Sequence, residues 1–180
     1  MRKKGKDCIF HLSHLFCVKI SKLNKGDDIL NPVYYLSNKR PLSHNRSGEL
    51  EKYKKIHKEK YYRSYAHLYS NLPTSERKLH TKLAYIYHHR VKATIPDVDN
   101  LSKPIIDAFS GVIYCDDKQV MRREAIEIEL NDLQFITFEM TDMPEKIANK
   151  LERYISNKED HIVLLAVSNA VLNDIVIGGF

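Results

Sequence analysis

The stretch PDVDNLSKPIIDAFSG, residues 96–111, decides how the centre of this chain folds, because a helical pattern begins there directly after a strand-like run. Its apolar side chains recur at helical spacing: Leu101, Ile105, Ile106 and Phe109. Gly111 stands where the C-terminal cap of a helix belongs. The preceding run LAYIYHHRVKATI predicts a strand within residues 79–95, so we expect a strand followed by a helix.

Further elements are predicted on both sides of this centre. Downstream, RREAIEIEL (122–130) and LQFITFEM (133–140) are expected to form a hairpin with NDL as its turn, and MPEKIANKLERYI (143–155) has helical spacing. Upstream, residues 8–20 and 33–37 are typical of short strands, and residues 50–72 of a basic helix that ends near Pro73. The pattern indicates an α+β fold, a mixed sheet with flanking helices, in a single domain.

The charge is unevenly distributed along the chain, whose formal net charge is +6. Residues 39–92 contain fourteen Lys and Arg against four Asp and Glu, and residues 97–180 contain eight against sixteen. A basic segment of this kind suits a polyanion such as nucleic acid, although lysines on a surface also serve solubility. Three widely spaced cysteines and the lack of a convincing signal peptide or apolar membrane span favour the cytoplasm, with no membrane partner.

Two pairs of carboxylates flank the predicted helix. Asp97 and Asp99 follow the strand, where alternate side chains share a face, and Asp116 and Asp117 follow the helix, so the chain can fold back to bring the pairs together. Two such charges about 4 Å apart repel by about 4 kcal/mol, which a cation would offset. Carboxylate oxygens suit Mg²⁺. The other interpretation is that these residues only cap the helix and form turns.

The segment PDVDNLSKPIIDAFSGVIYCDDKQV resembles the signature of the RusA family of Holliday junction resolvases: D-x-D-N, a lysine four residues after the second aspartate, D-A, a glycine, and D-D-x-Q-V. PLSHNR, residues 41–46, is similar to a loop near the start of these proteins. The resemblance implies a RusA-like endonuclease core over residues 33–140. Residues 1–32 would be an N-terminal extension, expected to be a packed strand, and residues 141–180 a helical and apolar C-terminal extension.

The resemblance also implies the chemistry. Family members are homodimers that use Mg²⁺, with Mn²⁺ as a substitute, to make paired nicks in a four-way DNA junction during recombination and repair. By this resemblance, the essential residues of the family correspond to Asp97, Asp99 and Asp117 as metal ligands. Its essential lysine corresponds to Lys103, which balances charge or stabilises the transition state. Further polar and basic side chains are expected to contact DNA: Lys39, Arg40, Asn45, Arg46, Lys118 and Arg122. The apolar segment 162–177 is a candidate part of the dimer interface.

Two alternatives remain open on the sequence alone. Pro96-Asp97 with Asp116-Asp117-Lys118 also fits the short PD…(D/E)-x-K pattern of restriction-type nucleases, in which Asp116 and Lys118 would serve. A non-catalytic, basic DNA-binding dimer is the second. Pro104 complicates the site, because proline is best tolerated in the first turn of a helix. It predicts that the helix begins at Asn100 or Ser102, which would change where Lys103 points.

Overall fold

The computed structural model describes residues 15–18, 31–43, 47–75, 77–91, 95–131 and 135–170. The strands within these ranges are β1 (Leu15–Val18), β2 (Val33–Ser37), β3 (Leu79–His88), β4 (Val120–Leu130), β5 (Phe135–Phe138) and β6 (His161–Asn169). The helices are α1 (Ser47–Ser64), α2 (Val98–Ala108) and α3 (Glu145–Ser156), with short 3₁₀ helices at Ala66–Leu68 and Asp117–Gln119. No helix among the described residues is long and apolar enough to cross a membrane.

Four strands form the main sheet in the order β2-β6-β3-β4. The β2–β6 and β6–β3 pairs are antiparallel, whereas β3 and β4 are parallel. Parallel neighbours need a crossover, and α2 supplies it between β3 and β4. The α+β fold with a mixed sheet and flanking helices is therefore confirmed.

The core lies around the strands at the middle of this sheet. All five residues of β2 are buried, as are residues 162–167 of β6 and most of β3. Helices α1 and α2 pack against each other. The Phe109 ring, at the end of α2, contacts Tyr35 of β2 and Tyr61 of α1, with ring centroids 4.8 and 5.6 Å away. These edge-to-face aromatic contacts fix α2 relative to the sheet.

Among the described residues, side chains and not another strand cover the outer edge of β2. The Tyr65 hydroxyl donates to the Leu36 carbonyl at 2.8 Å. The Tyr69 hydroxyl accepts from the Tyr34 amide at 2.8 Å and donates to the Tyr34 carbonyl at 3.1 Å. Unpaired strand edges expose backbone donors and acceptors, so these two tyrosines satisfy groups that a neighbouring strand would otherwise bind.

The predicted hairpin is wrong in its pairing. β5 lies within its predicted segment and β4 begins two residues before its own, at Val120. However, β4 pairs with β3, and β5 pairs in parallel with β1 in a separate two-stranded sheet. The alternating pattern identifies each strand but carries no information about a partner distant in sequence. The part of the predicted hairpin turn at residues 132–133 lies outside the described residues.

Two further predictions need correction near the ends of elements. β3 ends at His88 rather than continuing towards Ile95, and residues 92–94 lie outside the described part. The basic helix begins and ends earlier than expected, at Ser47 and Ser64, and a 3₁₀ turn follows it. The helices predicted at 96–111 and 143–155 are confirmed as α2 and α3.

The C-terminal segment takes part in the main sheet. β6 lies between β2 and β3, and residues 162–167 are buried there. These six residues cannot contribute to a dimer interface as proposed for 162–177, because the fold already covers them. Residues 171–177 of that segment lie outside the described residues. The domain boundaries at 32 and 140 stay predictions.

Candidate active site

One side of α2 carries three charged residues. Asp99, Lys103 and Asp107 are four residues apart, and this spacing places side chains one above another on a helix. The Lys103 Nζ lies 3.1 Å from Asp107 Oδ1 and 3.9 Å from Asp117 Oδ2. The side chain of Asp107 is only 16% exposed, whereas that of Asp117 is 49% exposed. Lys103 therefore connects a nearly buried carboxylate on its own helix to an open carboxylate on the following loop.

Asp97 directly precedes α2 and Asp99 lies in its first turn, so the two do not share one face of a strand as the sequence predicted. Asp97 is the N-cap residue, and its carbonyl accepts from the Leu101 amide at 3.1 Å. Its side chain makes no capping hydrogen bond, so the interpretation of Asp97 as a side-chain cap is wrong. Both aspartates are exposed. The positive end of the helix dipole stabilises carboxylates at this position.

The helix begins earlier than Pro104 suggested. Val98 is its first residue, so Pro104 lies inside α2 and is buried. The predicted start at Asn100 or Ser102 is wrong. Because the helix extends back to Val98, Asp99 stands one full turn before Lys103 and on the same side.

Asp116 and Asp117 have different surroundings although they are neighbours. Asp116 caps the 3₁₀ helix Asp117–Gln119: its Oδ1 accepts from the Lys118 amide at 2.9 Å. That hydrogen bond, with a smaller contribution from Asp117, holds the pKa of Asp116 below its usual value. Asp117 lies instead beside Lys103. The Asp116 side chain therefore stabilises the loop itself, whereas the Asp117 side chain lies next to Lys103 of α2.

Gln119 fastens this loop to a distant part of the chain. It is buried, its Nε2 donates to the carbonyls of Thr74 and Arg77 at 2.9 and 3.1 Å, and its Oε1 accepts from the Asp116 amide at 3.0 Å. The Cys115 amide also donates to the Thr74 carbonyl, at 3.2 Å. Sequence reasoning assigned no role to Gln119 or Asp107. For Asp107, the four-residue spacing from Lys103 was the signal in the sequence that could have identified it.

Residues 40–132 match the family model of endodeoxyribonuclease RusA. The match spans more than half of the chain and contains every residue of the site just described. The chain belongs to the RusA family. The resemblance drawn from the motif is thereby confirmed. No curated protein matches the chain. The RusA match includes α1, β3, α2 and β4, and it leaves β2, α3 and β6 outside.

The predicted DNA contacts of this RusA-family chain lie in several places. Lys39 and Arg40 are exposed just after β2, and Lys118 is exposed beside Asp117. Arg122 on β4 is close to a carboxylate, with its Nη2 2.5 Å from Glu124 Oε1. The remaining two predicted contacts, at positions 45 and 46, lie outside the described residues.

The three predicted metal ligands offer the right donors without forming a closed cage. Within the described ranges, no group of three or more His, Cys, Asp or Glu side chains lies close enough to hold a metal ion. Asp97 lies six residues before Lys103, about 9 Å along the helix axis. Mg²⁺ in proteins commonly takes one or two carboxylates, with water and substrate phosphate completing its shell. The exposed carboxylates of this RusA site fit that open kind of coordination in their donor chemistry.

Proposed function

We propose that this RusA-family chain is a Mg²⁺-dependent, structure-selective endodeoxyribonuclease that hydrolyses phosphodiester bonds in four-way junctions and other branched DNA during recombination and repair. The observation that carries the proposal is the position of Lys103 between Asp107 and Asp117, at 3.1 and 3.9 Å, on an open surface inside the matched region. A cation beside exposed carboxylates is suited to a negatively charged phosphate. The three cysteines, widely spaced in sequence, favour action in the cytoplasm.

Asp97, Asp99 and Asp117 are the residues that would hold Mg²⁺, or Mn²⁺ in its place. When bound, such an ion polarises the scissile phosphate and lowers the pKa of a water molecule. The exposed carboxylates of Asp97 and Asp99 lie at the N-terminus of α2, where solvent and a hard cation can reach them.

In this proposal Lys103 has a role separate from metal binding. Its ammonium group offsets the repulsion between Asp117 and the incoming phosphate, and it supplies positive charge where negative charge accumulates during hydrolysis. Asp107 orients Lys103 through the shorter contact. Because Asp107 is mostly buried, it acts through Lys103 rather than on DNA.

The test is cleavage of a synthetic four-way junction beside linear duplex of the same sequence, with and without Mg²⁺. We expect cuts in the junction only, and only with the ion. Asp97→Asn and Asp99→Asn should abolish these cuts and leave junction binding unchanged or tighter, because a negative charge facing phosphate is removed. Loss of binding in step with cleavage, in variants with wild-type melting temperature, would contradict the metal role.

The two alternatives predict different results in the same assay. In the restriction-type pattern Asp116 would be the ligand, but its carboxylate already caps the 3₁₀ helix, which favours Asp117. A non-catalytic DNA-binding dimer would bind the junction and produce no cuts under any divalent cation.

A homodimer belongs to the proposal because paired nicks need two sites, which two-fold symmetry supplies most simply. Its interface must use surfaces other than residues 162–167, which the sheet buries. Sedimentation at micromolar concentration should give a dimer. A monomer that still resolves junctions with paired nicks would refute this part alone.

A further inference from the structure

Five basic side chains come from α1, α3 and the segment just after β2, and α3 packs against β2. We call them the basic strip: Lys39, Lys60, Lys146, Lys150 and Arg153. The last three belong to α3, which lies outside the RusA match. The C-terminal half of the chain is acidic in composition, yet it contributes most of this strip.

Lys60 is a partly buried member of the strip. Its Nζ lies 3.2 Å from Ser37 Oγ and 3.4 Å from Asn38 Oδ1, which are neutral acceptors. Burial, and then the charges of Lys150 and Lys39, lower the pKa of Lys60 to about 8, while the charge of Glu159 opposes them. Lys60 therefore feels two neighbouring positive charges and one negative charge.

Helix α3 arranges its basic residues along one side. Lys146, Lys150 and Arg153 follow an i, i+4, i+7 spacing and extend over about 10 Å. The Lys150 Nζ lies 5.2 Å from the centre of the Tyr65 ring, which directly follows α1, and this is a cation–π contact. The Lys146 Nζ lies 3.2 Å from His67 Nε2. These contacts place the α3 side of the strip against the end of α1.

Lys60 and Lys150 are both partly buried, and neither is paired with a carboxylate of the described residues. Lys54, Lys55 and Lys82 each have a carboxylate oxygen within 4.0 Å. In the part of the chain that the structure describes, neither Lys60 nor Lys150 has one. The pKa of Lys150 is lowered by burial and then by Arg153 and Lys146. Positively charged side chains that lie close together without a neighbouring carboxylate favour the binding of a partner with several negative charges.

We propose that the basic strip binds the phosphate backbone of a DNA arm at a place separate from the Lys103–Asp117 site. The proposal rests on the proposed function, because it takes DNA as the polyanion. Duplex DNA carries one charge per about 1.7 Å of its axis, so the length of α3 in the strip faces several phosphates. Contacts to phosphate position a protein without reading sequence, which suits an enzyme that recognises a branched shape.

The experiment measures junction binding by the full chain, without divalent cations, between 50 and 200 mM salt. The variant is Lys60→Gln with Lys150→Gln, which keeps the aliphatic stems. The control is Lys52→Gln with Lys55→Gln, which removes the same charge from exposed positions on α1. Each lost phosphate contact lowers the log–log salt slope by about 0.9, so the strip variant should lose about 1.8. Wild type would then lose about 12-fold more affinity than the strip variant over this fourfold range.

The outcomes separate this inference from the proposed function. Equal slopes for the strip variant and the control overturn the strip, whether or not the wild type cuts junctions. A reduced slope in the strip variant supports it, even if no cleavage is found. Lys60→Arg with Lys150→Arg should restore the slope. If Lys60→Gln lowers the melting temperature, Lys150→Gln alone is measured, and a slope loss below about half a unit refutes the proposal.

Discussion

Replacing Gln119 by Ala tests whether the loop that carries Asp117 is held from a distance. The substitution removes two donor hydrogen bonds, to the carbonyls of Thr74 and Arg77 at 2.9 and 3.1 Å. Each of these, and the bond that Gln119 Oε1 accepts from the Asp116 amide, is worth about 1 kcal/mol net, so the free energy of unfolding should fall by about 3 kcal/mol. For a chain of this size, that lowers the melting temperature by about 6–12 °C.

The same substitution should reduce cleavage more than binding. Gln119 is buried, and its Oε1 also accepts from the Asp116 amide and so fixes the loop beside Lys103. Loss of a residue that orients a metal ligand through hydrogen bonds typically lowers activity by about 10- to 100-fold. We expect single-turnover cleavage at saturating junction to slow by this factor while the junction Kd stays within about twofold.

Gln119→Met is the matched control because it fills a similar volume without these hydrogen bonds. If the hydrogen bonds matter, Met and Ala variants should both lose activity, and Met should recover only part of the melting temperature. Wild-type melting and cleavage in Gln119→Met would refute the reasoning, since volume alone would then hold the loop.

Two more predictions concern the site and the core. In a single-turnover assay, Asp117→Asn and Lys103→Ala should be severely defective, whereas Asp116→Asn and Lys118→Ala should keep measurable activity; the reverse ranking would favour the restriction-type pattern. Burial, and then the charges of Lys60 and Lys39, lower the pKa of His57 from 6.5 to about 3. The unfolded chain takes up this proton as the pH falls below 6.5 and the folded chain does not, so stability is lost towards pH 3, by up to about 1.4 kcal/mol per pH unit. Urea unfolding between pH 7 and 4 should show a shallower pH dependence for His57→Gln than for wild type, and equal slopes would contradict this origin.

The sequence predicted elements better than it predicted their partners. The helical spacing around Ile105 and Leu151 gave α2 and α3, because it depends only on which side of a helix is buried. The parallel pairing of β4 with β3, and of β5 with β1, could not be predicted. It depends on the crossover through α2 and on contacts between residues far apart in sequence.

The candidate site was likewise predictable only in part. The D-x-D and D-D motifs placed the charged residues, and the spacing within α2 was available to place Asp107 beside Lys103. The bonds from Gln119 to Thr74 and Arg77 were not predictable, because they join segments more than forty residues apart. The expected effect of Pro104 was wrong because tertiary packing extends the helix beyond what the local preference of proline favours.

Because β6 lies between β2 and β3, it limits the order in which the strands of this protein can pair during folding. During synthesis β2 and β3 emerge long before β6, yet each needs β6 as its antiparallel neighbour. Until residue 169 has left the ribosome, the inner edges of both strands stay open and the nascent chain depends on protection from aggregation. A recombinant fragment limited to residues 40–132 contains only β3 and β4 of the main sheet, so it is a poor choice for expression. Useful truncations of this chain must keep residues 33–169.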